Sequence, residues 1–394
     1  MQKTPRANRI HIGIFGKRNT GKSSLLNKIT DQEVALVSDF AGTTTDPVYK
    51  NMEIPSVGPV VFIDTAGFDD VGELGELRIQ KTKEAIKKCD IALFLFSKED
   101  LKSDIEYYKD IKSNGVKMVP ILSKIDTIDY KEDFLNDLKS DIKEEIIFIS
   151  SNTGDGIDNL IARIKKESDS VKEKDITGKL VKEDSLVLLV MPIDIQAPKG
   201  RLILPQVQTI REILDKKAVV ISVTLDKLDL ALKSLNRSPD IIITDSQAFK
   251  EVYDKKPEDS LLTSFSVLFA SYKGDIDYFV ESTKYFEKLN ENSKVLIAEA
   301  CTHPPLEEDI GRVKIPRMLR KKYGENMEID FVRGDDFPDK LDKYDLVIHC
   351  GACMFNRKHV LSRLDIAKLE NTPMTNYGMT IAYMKGVLGK VSLP

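Results

Sequence analysis

Short apolar runs alternate along this chain with stretches whose apolar residues recur at helical spacing. In the N-terminal part the runs predict strands at His11–Phe15, Val60–Asp64, Ile91–Phe96, Lys117–Leu122 and Ile146–Ser150. Helical patterns such as Ser23–Thr30 and Ile105–Asn114 lie between them, and an amphipathic helix from Gly156 to about Ile164 closes the region. Strand–helix alternation implies a parallel sheet covered on both faces. The charged stretch Lys165–Asp184, with Gly and Ser among its residues, reads as a linker. Beyond it, apolar runs at Leu186–Val190, Ala218–Val223 and Ile241–Thr244 predict a second α/β segment, with Arg201–Leu214 as an approach loop and helix. A third segment starts near Leu262, with strands expected at Ser266–Ala270, Val295–Glu299, Glu328–Val332 and Leu346–His349.

Length agrees with that division. A chain of 394 residues exceeds one ordinary core, and the expected domains are 1–168, 169–261 and 262–394. Charged residues make up 31% and the formal net charge is −4, so the basic excess of a general nucleic-acid binder is absent. No apolar run approaches the length of a bilayer span, and no signal-peptide core follows Met1–Asn8. A cytoplasmic protein with no membrane partner is the expectation.

The first segment carries its chemistry in loops after strands. Gly16-Lys17-Arg18-Asn19-Thr20-Gly21-Lys22-Ser23 fits G-x-x-x-x-G-K-[ST] between an apolar strand and a helix, the context that this phosphate-binding motif needs. Successive backbone N–H groups would cradle phosphates, Lys22 would reach the β and γ phosphates, and the Ser23 hydroxyl would bind Mg²⁺. Asp64-Thr65-Ala66-Gly67 ends a strand, which suits Asp64 to the Mg²⁺ shell and the Gly67 N–H to the γ-phosphate. A hydroxyl of Thr43-Thr44-Thr45, Thr44 being the candidate, would complete that shell. Ser123-Lys124-Ile125-Asp126 sets the base: the Asp126 carboxylate can accept both N1–H and N2–H of guanine, a pair of donors that adenine lacks. Ser123 stands where asparagine is usual, so weakened base contacts are expected, and Ser151 in Ser150-Ser151-Asn152 would add backbone contacts.

These residues resemble the TrmE–Era group of bacterial GTPases, through Asn19-Thr20-Gly21-Lys22-Ser23-Ser24, Gly42-Thr43-Thr44 and Asp64-Thr65-Ala66-Gly67. The resemblance implies a Ras-like P-loop domain that hydrolyses GTP slowly. Phe68, being apolar, cannot orient an attacking water. K⁺-dependent members of the group hold K⁺ with an asparagine at the position of Asn19, which makes K⁺ a candidate cofactor. A loop residue selected for its turn conformation is the plainer account of Asn19.

The tail adds Cys301-Thr302-His303 and His349-Cys350-Gly351-Ala352-Cys353, each after an expected strand. Loops at the carboxyl ends of parallel strands are where such sheets place their sites. Three readings stand at this point: buried core cysteines, structural Zn²⁺ on Cys₃His, or an iron–sulfur cluster on three cysteines and a weaker fourth ligand. Composition alone does not separate zinc from iron.

The pair C-x-H … H-C-x-x-C behind a TrmE–Era-like domain, together with Met191-Pro192-Ile193-Asp194 and Ala197-Pro198-Lys199-Gly200-Arg201, resembles the HydF family of FeFe-hydrogenase maturation GTPases over the whole chain. The resemblance implies a homodimeric scaffold and carrier for the diiron precursor of the hydrogenase. Its partners would be the apo-hydrogenase and radical-SAM maturation enzymes. By the same resemblance Cys301, Cys350 and Cys353 hold a 4Fe–4S cluster, and His303 or His349 is its fourth ligand or a group orienting its ligands. The alternative is an RNA- or ribosome-directed GTPase with a zinc module.

Three other features have plain readings. Cys89 reads as core, and His359 as a solvated helix position. The run Arg312, Lys314, Arg317, Arg320, Lys321, Lys322 reads as a solvated helix face. A positive mouth for an anionic diiron unit is the sharper reading of that run.

Overall fold

The computed structural model describes residues 6–30, 48–65, 73–171, 174–192, 202–300 and 309–394. The chain divides into two compact units, Met1–Lys172 and Glu173–Pro394. In the first, β1 (Ile10–Gly16), α1 (Lys22–Thr30), β2 (Val48–Ile54), β3 (Gly58–Asp64), α2 (Glu73–Ile86), β4 (Ile91–Phe96) and α3 (Leu101–Ser113) follow one another. They continue into β5 (Lys117–Leu122), α4 (Glu132–Asp141), β6 (Ile147–Phe148) and α5 (Ile157–Ser170). The sheet order is β2-β3-β1-β4-β5-β6, with β2 antiparallel to β3 and the other pairs parallel.

Strands buried on both faces need side chains that are apolar on both faces, which is why β4 reads Ile-Ala-Leu-Phe-Leu-Phe and is buried throughout. Leu25 and Leu26 of α1 and Leu160 and Ile164 of α5 close one face of the sheet over Ile12, Ile14 and Leu93. Ile105 and Tyr108 of α3 and Leu138 of α4 close the other over Phe15, Ala92 and Phe94. Cys89 lies in that second core, fully buried, as a plain core residue. Each fully buried aliphatic side chain of this kind contributes roughly 1.5–3 kcal/mol. β2 has the alternating pattern of an edge strand rather than an apolar run, which is why sequence reading passed over it.

The second unit holds two four-stranded parallel sheets. The first comprises β7 (Leu186–Val190), α6 (Leu204–Asp215), β8 (Val219–Val223), α7 (Leu228–Ser234), β9 (Ile241–Thr244), α8 (Phe249–Lys255) and β10 (Leu261–Ser264), in strand order β10-β9-β7-β8. After α9 (Phe265–Lys273) and α10 (Ile276–Ser282) come β11 (Lys294–Glu299), α11 (Ile315–Tyr323), β12 (Glu328–Arg333), β13 (Leu346–His349), α12 (Arg357–Leu369), β14 (Met374–Asn376) and α13 (Tyr377–Met384). Their order is β12-β11-β13-β14.

Three expectations are corrected here. The strand expected at Ser266–Ala270 is helix α9, capped by Ser264, whose hydroxyl accepts from the Val267 N–H, and Leu262 lies in β10 of the preceding sheet. Val267 and Ala270 of α9 pack into one core while Phe265, Leu268 and Phe269 pack into another, so no polar face advertises the helix. The stretch Lys165–Asp184 is not linker throughout. α5 runs to Ser170, and Ile176 and Val181 are buried, while the Ile176 and Thr177 amides donate to the Glu212 carboxylate at 2.6 and 2.8 Å. His359 is buried and stacks on Phe355 at 4.5 Å instead of facing solvent.

Candidate functional site

β1 delivers the phosphate loop. Gly16 sits at φ +145°, and a Cβ there would lie 2.6 Å from the Leu95 carbonyl oxygen, so only glycine turns the chain at this point. Asn19 at φ +61° and Gly21 at φ +98° complete the turn into α1. Left-handed backbone favours asparagine among non-glycine residues, so the conformation by itself accounts for Asn19. The Lys22 ammonium donates to the Gly16 and Lys17 carbonyls at 2.8 and 2.7 Å, which holds it in the mouth of the loop. Ser23 and Ser24 occupy the first turn of α1. Lys17 ion-pairs with Asp100 at 2.9 Å and with the fully buried Asp104 at 3.2 Å, tying the loop to α3.

Asp64 ends β3 beside Ile14 in the register. Burial pushes its carboxyl above the usual range, with the charges of Lys22 and Lys50 opposing the push. A divalent cation would favour the ionised form further. Thr65 donates to the Ile14 carbonyl at 2.6 Å and fixes the start of its loop. Thr43, Thr44, Gly67 and Phe68 lie outside the described residues.

The base loop is built onto the phosphate loop. The buried Ser123 hydroxyl donates to the Thr20 carbonyl at 2.5 Å, and the Lys124 ammonium donates to the Asn19 carbonyl at 2.6 Å. Ser123 therefore serves as a tether between the two loops, a role that the sequence reading did not give it. Tyr130 O–H donates to the Ser123 carbonyl at 2.7 Å. Asp126 accepts from the Ser150 hydroxyl at 2.8 Å and the Asn152 amide at 3.4 Å, and the Ser150 bond leads in holding its carboxyl below the ordinary range. Ser150 is itself held by a turn in which Gly154 N–H donates to its carbonyl at 2.9 Å, and Ser151 lies on that turn. Gly156 ends the turn at φ +75°, where a Cβ would meet the Phe148 carbonyl at 1.9 Å. Ser150 was expected in this turn for backbone contacts alone, and neither its hydroxyl bond to Asp126 nor Tyr130 was foreseen, since a lone hydroxyl has no spacing signature.

The cysteine segment lies at the carboxyl edge of the last sheet. The register pairs Ala298 with His349 and His349 with Asn376, which puts Cys350 just past the end of β13. Its Sγ takes two backbone amides, Ala300 N–H at 3.0 Å and Ala352 N–H at 3.4 Å. Ala352 is buried at φ +46°, a conformation costing a non-glycine residue roughly 1–2 kcal/mol, and it turns its amide toward the sulfur. Cys353 follows on the same turn, partly buried. Cys301 and His303 lie outside the described residues, and among the described residues no cluster of three metal-ligating side chains forms.

His349 is buried with both ring nitrogens engaged. Arg363, also buried, can only donate, so its contact with His349 Nε2 at 2.8 Å makes that nitrogen the acceptor. The proton then sits on Nδ1 and is donated to the Cys350 carbonyl at 2.6 Å. Burial, aided by Arg363, pushes the imidazole down to about 3 and keeps it neutral. Burial likewise brings the guanidinium down to about 10; it stacks over Phe337 at 5.0 Å and donates to the Gly334 carbonyl. This geometry suits His349 to orienting the cysteine turn and leaves no ring nitrogen over for coordination. Of the basic run, Arg317, Lys321 and Lys322 are exposed on α11, whereas Arg312 is bonded to Glu299 at 2.8 Å.

The fold and first site define a P-loop GTPase. Residues 11–124 match a family model described as 50S ribosome-binding GTPase. Residues 176–274 match the Hydrogen maturase F dimerization domain, and residues 277–393 the Hydrogen maturase F tetramerization domain. By these modules and their order the chain belongs to the hydrogen maturase F family of hydrogenase maturation GTPases. Similar curated proteins share the GTPase region. A tRNA modification GTPase MnmE of Chromobacterium violaceum is 32% identical over 161 residues, 39% of this chain and 34% of that protein. A GTPase Der of Nautilia profundicola is 31% identical over 160 residues, 40% of this chain and 34% of that protein. The chain thus spans about a third of the length of these relatives. The solved structure of Aquifex aeolicus Era bound to GDP and AlF₄⁻ aligns with 20% identity and a TM-score of 0.35, covering 57% of this chain and 98% of that one. A probable GTP-binding protein engB aligns with 21% identity and a TM-score of 0.34, covering 41% of this chain and 99% of that one.

Proposed function

We propose that this GTPase is a scaffold that binds a 4Fe–4S cluster through Cys301, Cys350 and Cys353 and carries a diiron precursor to FeFe-hydrogenase. The observation that carries the proposal is Cys350 at the end of β13, its sulfur receiving the Ala300 and Ala352 amides. Amide donors on sulfur favour thiolate, the form that ligates metal. A buried core cysteine would not need them. Cys350 and Cys353, on one turn at the sheet edge, are the described residues that would hold the cluster, which when bound would supply a metal–sulfur face with an exchangeable position.

The chain's own residues divide the remaining work. His349 and Arg363 fix the turn that presents Cys350 and Cys353. Lys22, Ser23, Asp64 and, in its loop, Thr44 hold the phosphates and Mg²⁺, while Lys124, Asp126 and the Ser150–Asn152 turn select guanine. Loss of the γ-phosphate would release the segments Thr43–Thr45 and Gly67–Gly75, the last of which runs into α2, and alter partner contacts. K⁺ at Asn19 would accelerate that step, and equal GTP hydrolysis in Na⁺ and K⁺ removes it.

Oligomerisation has a place as well. β8 is an edge strand carrying exposed Val219, and exposed Val207 and Leu214 lie on the neighbouring α6, an apolar margin that a second copy would cover. In this reading the second unit, Glu173–Pro394, divides at its two sheets; Leu262 belongs to β10 of the first of them, so the boundary expected at 261/262 falls later in the chain. The test is in vitro maturation: purified chain, supplied with the other maturation enzymes, should activate apo-hydrogenase to evolve hydrogen. A Cys350→Ser chain matching wild type would overturn the proposal.

A further inference from the structure

Tyr377 stands beside the cysteine site, where the charge of Cys350 acts on its hydroxyl. β11, β13 and β14 are neighbours, and the register aligns Ala298, His349 and Asn376 across them. One step further along each strand stand Glu299, Cys350 and Tyr377, a row across three strand ends. The Tyr377 hydroxyl is closed off from water and has no hydrogen-bond partner among the described residues. Such a group costs roughly 1–3 kcal/mol and is rare in native proteins.

Among the described residues no acceptor takes its proton. Glu299 Oε2 is committed to Arg312 at 2.8 and 3.0 Å and to Arg333 at 3.3 Å, and Oε1, which faces the same turn, takes no hydrogen bond from the phenol. A widened turn, Ile310–Lys314, passes over the phenol so closely that a Cβ on Gly311 would lie 1.9 Å from the hydroxyl oxygen. That turn is of the π type, a form found often at functional sites. The ring is therefore wedged with its donor beside Cys350, whose sulfur already takes two amides. A group that Cys350 itself holds would supply the missing acceptor.

We infer that Tyr377 donates a hydrogen bond to a sulfide of the metal–sulfur group bound at Cys350 and Cys353. The inference rests on the cluster reading above. It makes Tyr377 a positioning and tuning residue: a donor on sulfide favours the more negatively charged, reduced cluster.

The test compares full-length wild type with Tyr377→Phe in two forms. In the metal-free chain the substitution removes only an unpartnered hydroxyl, so thermal stability should stay level or rise. In chain reconstituted anaerobically with iron and sulfide, iron content should match wild type, while the midpoint potential followed by EPR shifts to more negative values. Full loading with an unchanged potential overturns the inference and leaves the cluster reading intact. Loss of stability in the metal-free variant also overturns it, since the hydroxyl then has a protein partner. If wild type itself takes up no cluster, the cluster reading fails and this inference falls with it.

Discussion

Ser123→Ala removes one hydroxyl and cuts the tether between the base loop and the phosphate loop. The lost bond, Ser123 Oγ to the Thr20 carbonyl at 2.5 Å, joins two residues only 3% and 6% exposed. A hydrogen bond of this kind contributes about 0.5–1.5 kcal/mol, and a carbonyl left without a partner costs about 1–3 kcal/mol. The expected loss is at the lower end of that range. A loss of about 1–1.5 kcal/mol corresponds to roughly a tenfold weaker GDP affinity if binding must restore the loop. The part that appears in the free protein lowers Tm by roughly 2–4 °C per kcal/mol. Titration of the full chain with a fluorescent GDP analogue, beside a thermal melt, measures both parts. Ser123→Asn, whose amide can reach the same carbonyl, should hold or tighten binding. If Ser123→Ala leaves affinity within twofold and the melt unshifted, the tether is not part of the site and the reasoning fails.

Other consequences can be measured on the same protein. Asp126 is ionised below the usual carboxylate pKa because it accepts from Ser150, so its base-binding form is present above about pH 4 and is lost only as pH falls through the depressed native value. GDP affinity should thus be insensitive to this group from pH 8 to about 5, and Ser150→Ala should raise the pH at which affinity falls. Arg363→Met leaves the His349 Nε2 and the Gly334 carbonyl without their buried donor; denaturant unfolding of the metal-free chain should show a loss of about 2–3 kcal/mol, with GDP binding unchanged. Leu214→Glu with Val219→Asp should shift the full chain to a smaller species in light scattering, and an unchanged mass would remove the β8 margin from the interface.

The parts of this molecule that sequence disclosed share a physical cause. Interior parallel strands such as β4 and β5 must be apolar on both faces, and phosphate loops must carry glycine where a Cβ would strike Leu95, so each leaves a local signature. Helix α9 left the wrong one. It is buried against two cores, so its helical period is invisible and Ser-Val-Leu-Phe-Ala reads as a strand; only the Ser264 cap marked it. β14 was too short to register, although it carries Tyr377 to the edge beside Cys350. His359 and Arg363 sit on a helix whose charged residues suggest solvent on every side, yet both are buried beneath neighbouring segments. Contacts between residues distant in sequence, such as Ser123 with Thr20 or Arg363 with His349, have no local pattern to read.

The central claim is that Cys350 belongs to a metal–sulfur site in a GTPase. Anaerobic reconstitution of the full chain with iron and sulfide, followed by EPR of the reduced protein beside a Cys350→Ser control, tests it most directly. The account predicts a low-potential paramagnetic cluster in wild type that the substitution weakens or abolishes. Tight zinc with no cluster under any condition would contradict it.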